Sequence, residues 1–245
     1  EIVDTVVLSF NRTVPEGSDL PAPESRTAEL RTALLEKIAG LDRGSKATGE
    51  DAAEVARLAE ELSAEARSQG RRLSFPEDLP KLEGRWRLGY TSAFAGSTSL
   101  GGARPGPALN SPVLQVGEIY QRYRIESSRA DTIVTLRPPA WLRGTGFLDE
   151  LPILGGRPDT ELTLSQRFEV ASEDTLRFAF ADGQVANRLL EQLGPIQFPL
   201  APFGFGADAT KDTLFTDTLV TTYCDASLRL GRGGRFGELR IFLRD

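Results

Sequence analysis

The residues that most often carry catalysis are scarce in this chain. Its 245 residues include no histidine and a single cysteine, Cys224. The absence of histidine excludes Ser-His-Asp and Cys-His catalysis as well as imidazole zinc sites. Cys224 therefore has no imidazole to activate it, and we interpret it as a small apolar residue on a strand. We expect no catalytic residue, no metal site and no required cofactor.

Carboxylates remain as candidates for acid–base chemistry, and such an enzyme needs two acids that meet inside the fold. The interior positions predicted below contain none, so a carboxylate enzyme ranks last among the functions considered. Asp225 follows a predicted strand. We interpret it as a turn residue, or as the ion-pair partner of a nearby arginine, rather than as a catalytic acid.

The composition narrows the classes of partner. With 29 basic and 35 acidic residues the formal charge is −6, which disfavours nucleic acid as a ligand. No apolar run reaches the 18 or so residues that cross a bilayer, so we expect no transmembrane helix. The chain contains no methionine, even at position 1, and we expect Glu1 to follow a targeting segment that is absent here.

The N-terminal part of the chain divides into an extension and a helical hairpin. Residues 1–25 combine a Val-rich stretch with a linker rich in Pro, Gly and Ser, and predict an extended arm. Residues 26–72 predict two helices packed on the rest of the protein, the second opened by a Thr48–Asp51 capping signature. Apolar residues recur at helical spacing at Leu30, Leu34, Ile38 and Leu41, and then at Val55, Leu58, Leu62 and Ala66.

From Leu82 onward the pattern indicates strands. We predict strands at 84–93, 115–126, 131–138, 160–171, 174–182, 215–224, 226–232 and 235–244, joined mainly by tight turns. A mainly β, antiparallel up-and-down barrel over residues 82–245 fits this spacing, and a two-sheet sandwich is the alternative. A barrel of about eight strands can hold one small apolar ligand.

Alternation along these strands predicts which side chains face inward. A ligand cavity would be lined by Leu88, Tyr90, Ile119, Tyr123, Phe168, Phe178, Phe180 and Tyr223. The pattern predicts that each is buried, and leaves open whether it contacts a ligand or only its neighbours.

One end of the barrel is predicted to be closed by the start of its first strand. Gly84 lets the backbone bend and Trp86 turns inward as a plug. Arg229 covers the indole face through a cation–π contact, with Arg240 as the other candidate.

Two apolar stretches between strands could form a rim that sits on a lipid surface or covers the cavity. Arg137 and Arg143 flank the first stretch. The second could equally be a short helix and loop that plug the barrel. The residues in question are Trp141, Leu142 and Phe147 in the first stretch, and Phe198, Phe203 and Phe205 in the second.

Three motifs carry a resemblance to a known family. The run "LEGRWRLGYTS" resembles the first strand of the plastid lipid-associated proteins, also called fibrillins or plastoglobulins, and shares a Gly-x-Trp element with lipocalins. "VGEIYQRYRI" resembles a later strand of that family, with Glu118 where Gln is usual. "DTLVTTYCDASLRLGRGGRFGELRIFLRD" resembles its C-terminal end, with Cys224, Ala226, Ser227 and Gly234 as departures. The similarity spans about residues 27–245.

The resemblance implies a lipocalin-like barrel and a non-enzymatic protein that binds or organises apolar lipids. A prenylquinone, a carotenoid or a related isoprenoid pigment would be the bound molecule. The location implied is the plastid, peripheral to thylakoid membranes or plastoglobules. The alternative is an assembly protein with a side-chain-filled barrel that docks onto a plastid membrane protein complex.

Overall fold

The computed structural model describes residues 23–94, 115–137, 160–180, 217–233 and 237–245. Two helices come first: α1 spans Pro23–Ala39 and α2 spans Gly49–Ser68. A single 3-10 turn at Leu79–Leu82 leads into the strands. The predicted helical hairpin is therefore confirmed, whereas the arm predicted for residues 1–25 lies almost wholly outside the described residues.

Eight antiparallel strands follow and close into a barrel in which each strand pairs with the next and β8 pairs with β1. The predicted up-and-down barrel is confirmed, and the sandwich alternative is wrong. The strands are β1 Gly84–Thr91, β2 Gln115–Arg124, β3 Arg129–Arg137, β4 Thr160–Ser172, β5 Thr175–Phe180, β6 Asp217–Cys224, β7 Leu228–Gly233 and β8 Glu238–Arg244.

Helix α2 begins where the capping signature predicts. The Thr48 hydroxyl accepts a hydrogen bond from the Asp51 amide at 3.1 Å, and the Thr48 amide donates to the Asp51 carboxylate at 2.9 Å. These bonds satisfy two amides that a helix start otherwise leaves unpaired. Lys37 of α1 donates to the same carboxylate at 2.7 Å. This hydrogen bond is the main reason that the pKa of Asp51 is lowered, and it ties the two helices together.

The apolar faces of both helices pack on the outer wall of the barrel. Leu34, Val55 and Leu62 are fully buried in this layer. The strands supply the other half of the layer, because alternate residues of β7 and β8 point outward. Those strand residues are Leu228, Leu230, Leu239 and Ile241.

The turn between the helices is fixed directly to β1. Gly44 has φ +101°, and a Cβ there would lie 2.4 Å from the Thr91 carbonyl oxygen. The Thr91 amide donates to the Arg43 carbonyl at 3.0 Å. Only glycine allows this conformation and this close approach, so Gly44 sets the position of the hairpin against the barrel.

The two ends of the barrel differ in the connections that they carry. Short turns at 125–128, 173–174 and 225–227 join strands at the end where Trp86 lies, which we call the closed end. The longer connections, 92–114, 138–159 and 181–216, start and end at the opposite end, which we call the mouth. In the described part of the chain, no helix has the length and apolar character needed to cross a membrane.

Candidate functional site

The closed end of the barrel is built around Trp86, whose side chain is fully buried. Its indole Nε1 donates to the Leu82 carbonyl at 2.9 Å, so the one polar atom of the ring is satisfied. Gly84, two residues earlier, has φ +104°, and a Cβ there would lie 3.2 Å from the Arg244 guanidinium. The glycine thus gives β1 the sharp entry that places the indole at the closed end.

Arg229 lies inside the barrel next to this indole and has no exposed surface. Its guanidinium carbon is 4.3 Å from the ring centroid of Phe242, 4.8 Å from that of Tyr123 and 5.3 Å from that of Trp86. These separations are those of cation–π contacts, which gain strength away from water. The predicted choice of Arg229 rather than Arg240 agrees with this geometry.

Arg229 makes its side-chain hydrogen bond to Gln121, a residue that the sequence did not single out. The Gln121 side-chain oxygen accepts from Nη2 of Arg229 and, at 3.1 Å, from the hydroxyl of Tyr123. Nε and Nη1 of Arg229 are buried without a hydrogen-bond partner among the described residues. The three surrounding rings are therefore the main compensation for its buried charge.

A second arginine completes the closed end. The Arg244 guanidinium lies 4.1 Å from the Trp86 ring centroid, closer than that of Arg229. It donates to backbone carbonyls of the segments around it, at Ala226 (2.8 Å), Glu83 (2.6 Å) and Lys81 (2.7 Å). Sequence reasoning missed it because the contact depends on the register of β1 with β8, in which Trp86 stands opposite Arg244.

Above this layer the interior is apolar and aromatic. The ring of Tyr123 lies 5.7 Å from that of Phe168 and 6.3 Å from that of Phe178, in edge-to-face geometry. Leu88 and Ile119, also predicted to face inward, are almost fully buried. Phe180 ends β5, and its side chain lies outside the described residues.

Two of the predicted cavity residues face outward instead. Pairing shifts by one residue between Leu88 and Tyr90, so that Leu88 stands opposite Phe242 but Tyr90 stands opposite Ile241. A β-bulge of this kind turns the next side chain to the other face. Tyr90 accordingly packs with the helices, and burial raises the pKa of its hydroxyl to about 12.

Tyr223 is displaced in the same way. The register of β6 with β7 shifts between Thr221 and Tyr223, and Tyr223 packs beneath the helical hairpin. Its hydroxyl donates to Asp225 at 2.8 Å, and burial, with this contact, raises its pKa. Predicting Tyr90 and Tyr223 as cavity residues was wrong, because strict alternation does not reveal a bulge.

Asp225 acts as the turn residue predicted for it. Its carboxylate accepts from the amides of Ser227 and Leu228, both at 2.7 Å, and lies 3.4 Å from the Arg31 guanidinium of α1. Burial raises the pKa of this carboxyl, but the hydrogen bonds and the charge of Arg31 outweigh burial and lower it overall. Cys224, beside it, is half-buried, and burial raises its thiol pKa.

The interior is more polar than the sequence suggested. Besides Gln121 and Arg229, the polar side chains that share the inward face with the aromatic residues and are almost fully buried include Gln166, Thr132, Thr221 and Arg240. Arg240 stands opposite Gly231 in the register, and its guanidinium lies beside Gly233, where a Cβ would be 3.1 Å from Nη1. Strand alternation places these residues on the inward face, but the predicted cavity lining included only large apolar and aromatic residues.

A separate cavity of about 500 Å³ lies outside the barrel, between the end of α1 and strands β1, β2 and β8. Its apolar surface comes from Leu35, Ile38 and Leu243. Arg87 and Glu118 also line it and form an ion pair with a separation of 3.6 Å. Gly89, the bulge residue of β1, is part of its lining, and a Cβ there would lie 3.3 Å from Ile38. No sequence signal predicted it.

The residues predicted as a lipid-surface rim cannot be placed. Trp141, Leu142 and Phe147, like Phe198, Phe203 and Phe205, lie outside the described residues. They belong to the connections 138–159 and 181–216, which start and end at the mouth of the barrel. Within the described residues, no three His, Cys, Asp or Glu side chains come together as a metal site requires.

The model of the PAP_fibrillin family matches residues 28–243, from the first turns of α1 to the last residues of β8. The chain belongs to the PAP_fibrillin family. The match includes Trp86, Gln121 and Arg229, so the closed end lies within the family region except for Arg244, which directly follows the last matched residue.

Curated relatives of this PAP_fibrillin protein come from plants. It is 31% identical over 223 residues to plastid-lipid-associated protein 6, chloroplastic, of Arabidopsis thaliana, covering 90% of this chain and 71% of that protein. It is 28% identical to the chromoplast-specific carotenoid-associated protein C1 of an Oncidium hybrid cultivar, covering 94% and 72%. It is 25% identical to the light-induced protein, chloroplastic, of Solanum tuberosum, covering 92% and 70%. No solved structure matches the chain.

Proposed function

We propose that this PAP_fibrillin protein binds or organises apolar lipids, of the prenylquinone or carotenoid class, without catalysing a reaction on them. One observation carries the proposal: an eight-stranded barrel is filled at one end and lined with aromatic and aliphatic side chains above. A barrel of this strand number either is filled by its own side chains or holds one small ligand, and apolar side chains on the inner face favour hydrocarbon over water.

The names of the relatives support the class of ligand and the compartment. Plastid-lipid-associated and carotenoid-associated proteins are among the relatives, and they are described as chloroplastic or chromoplastic. We infer from them a plastid protein, and we propose that it lies at the surface of thylakoid membranes or plastoglobules.

Each part of the interior has a role in this function. Trp86 and Arg229 fill the closed end, so a ligand enters from the mouth and stops at the aromatic layer of Tyr123, Phe168 and Phe178. The buried polar groups nearer the mouth, such as Gln166 and Arg240, can donate hydrogen bonds to a carbonyl or hydroxyl on the ligand.

The second candidate is an assembly protein with a filled barrel that docks onto a plastid membrane protein complex. The polarity of the interior favours it, since Arg240, Gln166 and Thr221 are buried by protein and offer little surface to a pure hydrocarbon. The hairpin, or the extension before it, would then carry the contact with the complex.

Organic extraction of the purified protein, followed by mass spectrometry, separates the two functions. The lipid-binding function predicts about one isoprenoid molecule per chain. A matched pair of variants locates it: Ile119→Phe narrows the interior and lowers the yield, whereas Thr163→Phe adds the same ring on the exposed outer face and leaves it unchanged. A clean extract from protein that still binds plastid membrane complexes supports the assembly function instead.

A further inference from the structure

Three arginines stand directly opposite one another on the outer wall of the barrel, near the closed end. In the sheet register Arg124 of β2 faces Arg129 of β3, and Arg129 faces Arg167 of β4. All three are exposed. We call them the arginine row. Neighbouring strands lie about 4.8 Å apart, so the row places three guanidinium groups across roughly 10 Å of one convex surface.

Among the described residues, Asp131 is the one carboxylate that forms an ion pair with a member of the row. Asp131 of β3 is fully buried, and it accepts from Arg122, from Arg124 and, at 2.8 Å, from the Ser165 hydroxyl. Burial raises the pKa of Asp131, but the hydrogen bonds from Arg122 and Ser165 and the charges of both arginines lower it overall. Asp131 therefore stays ionised at neutral pH, and its carboxylate holds the guanidinium groups of Arg122 and Arg124 in place.

The other two members of the row have no such partner. Across the described ranges, no carboxylate lies within ion-pair distance of Arg129 or Arg167. Like charges directly opposite on adjacent strands destabilise a sheet. The row is a local group of positive charges in a protein whose formal net charge is −6. Repulsion among the three arginines therefore destabilises this part of the sheet, and a bound anionic partner would reduce that repulsion.

We propose that the arginine row binds the anionic head groups of a lipid bilayer. This rests on the proposed function only in its location at a membrane surface. A convex wall cannot enclose one small anion, but separated guanidinium groups can each meet a different head group. The planar fork of arginine pairs in bidentate fashion with phosphate or sulfate oxygens.

The row and the mouth lie toward opposite ends of the barrel. A membrane that contacts the row therefore does not cover the mouth. Surface binding and uptake of an apolar ligand are then separate properties of the molecule. The arginine row can be removed without narrowing the interior.

Co-sedimentation with vesicles tests the proposal. The probes are phosphatidylcholine vesicles with and without one third phosphatidylglycerol, at low and at physiological salt. The test variant is Arg124→Gln/Arg129→Gln/Arg167→Gln. The control, Arg26→Gln/Arg57→Gln/Arg67→Gln, makes the same charge change at exposed positions of the hairpin.

We expect the unaltered protein to bind the anionic vesicles and to lose binding as salt rises. The row variant should bind more weakly by roughly fivefold for each arginine removed, about a hundredfold in total. The hairpin control should retain binding. Because Arg124 also pairs with the buried Asp131, the melting temperature of the row variant is measured alongside, to show that the variant is folded when its binding is compared.

Three results would overturn the proposal: no binding to any vesicle, equal binding to zwitterionic and anionic vesicles, or equal losses in both triple variants. Extraction of the row variant in parallel keeps the two proposals separate. In the row variant, a retained isoprenoid with lost vesicle binding supports both proposals. In the unaltered protein, salt-sensitive binding to anionic vesicles with an empty barrel contradicts only the lipid-binding function.

Discussion

At the scale of single residues, the closed end shows a buried charge held by aromatic rings and one amide. Arg229 is fully buried and makes its side-chain hydrogen bond to Gln121. Removing the partner of a buried ion destabilises a protein far more than replacing the ion and its partners together by apolar residues. In the first case the charge stays buried without compensation. The contribution of Gln121 can therefore be tested separately from that of the arginine.

Gln121→Leu keeps the volume of the side chain but removes the acceptor for Arg229 and Tyr123. We expect the free energy of unfolding to fall by about 3 kcal/mol. Adding Arg229→Met should recover part of this loss, because the unpaired charge is gone and the apolar volume remains. Urea unfolding of the four proteins in this double-mutant cycle gives the coupling, and strictly additive effects would contradict it.

The turn at Asp225 predicts a pH dependence. Its pKa is lower in the folded state than its ordinary value near 3.8. The carboxylate therefore stabilises the protein above about pH 4, and this contribution is lost as the pH falls through the folded-state value. Asp225→Asn should cost about 1–2 kcal/mol at neutral pH and less at pH 3. Unfolding midpoints of the variant and the unaltered protein, measured at neutral pH and at pH 3, check this. An equal loss of stability at both pH values would rule out a role for the charge.

At the scale of elements, local signals were sufficient for the helices and for most of the strands. The capping box at Thr48 and Asp51 acts within four residues, so the start of α2 could be predicted from neighbouring residues alone. The bulges before Tyr90 and Tyr223 could not, since the pairing of distant strands decides where one extra residue is accommodated. Gln121 and Arg244 were missed for the same reason, because their partners lie far away in the sequence.

Attachment of the hairpin to β1 depends on a glycine that local patterns do not mark as special. Gly44 and Gly70 both have positive φ, but only at Gly44 would a Cβ meet the backbone, 2.4 Å from the Thr91 oxygen. Gly70→Ala should cost about 1 kcal/mol through backbone strain alone. Gly44→Ala should cost about 2 kcal/mol more, because the turn must also move away from β1. Chemical unfolding of the two variants measures the difference, and equal losses would show that the close contact contributes nothing.

At the scale of the whole molecule, the helical hairpin and the barrel share one apolar layer. Leu62 of α2 and Leu230 of β7 are both fully buried in it, and the outward-facing Tyr90 and Tyr223 belong to it as well. The two tyrosines therefore join the hairpin to the barrel instead of lining a cavity. A layer shared in this way couples the unfolding of both parts, although the sequence divides them into residues 26–72 and 82–245.

Leu62→Ala tests this coupling, because it opens a cavity on the helical side of the shared layer while leaving every strand residue intact. We expect a loss of about 2–4 kcal/mol, seen equally in the far-ultraviolet and near-ultraviolet signals. Both are measured in a Trp141→Phe background, which leaves Trp86 as the only tryptophan of the sequence. The exposed Glu60→Ala serves as control, with a change within about 0.5 kcal/mol. Since Trp86 lies inside the barrel, helix loss that precedes any change at this indole would mean that the hairpin unfolds independently and that the shared layer does not couple the two parts.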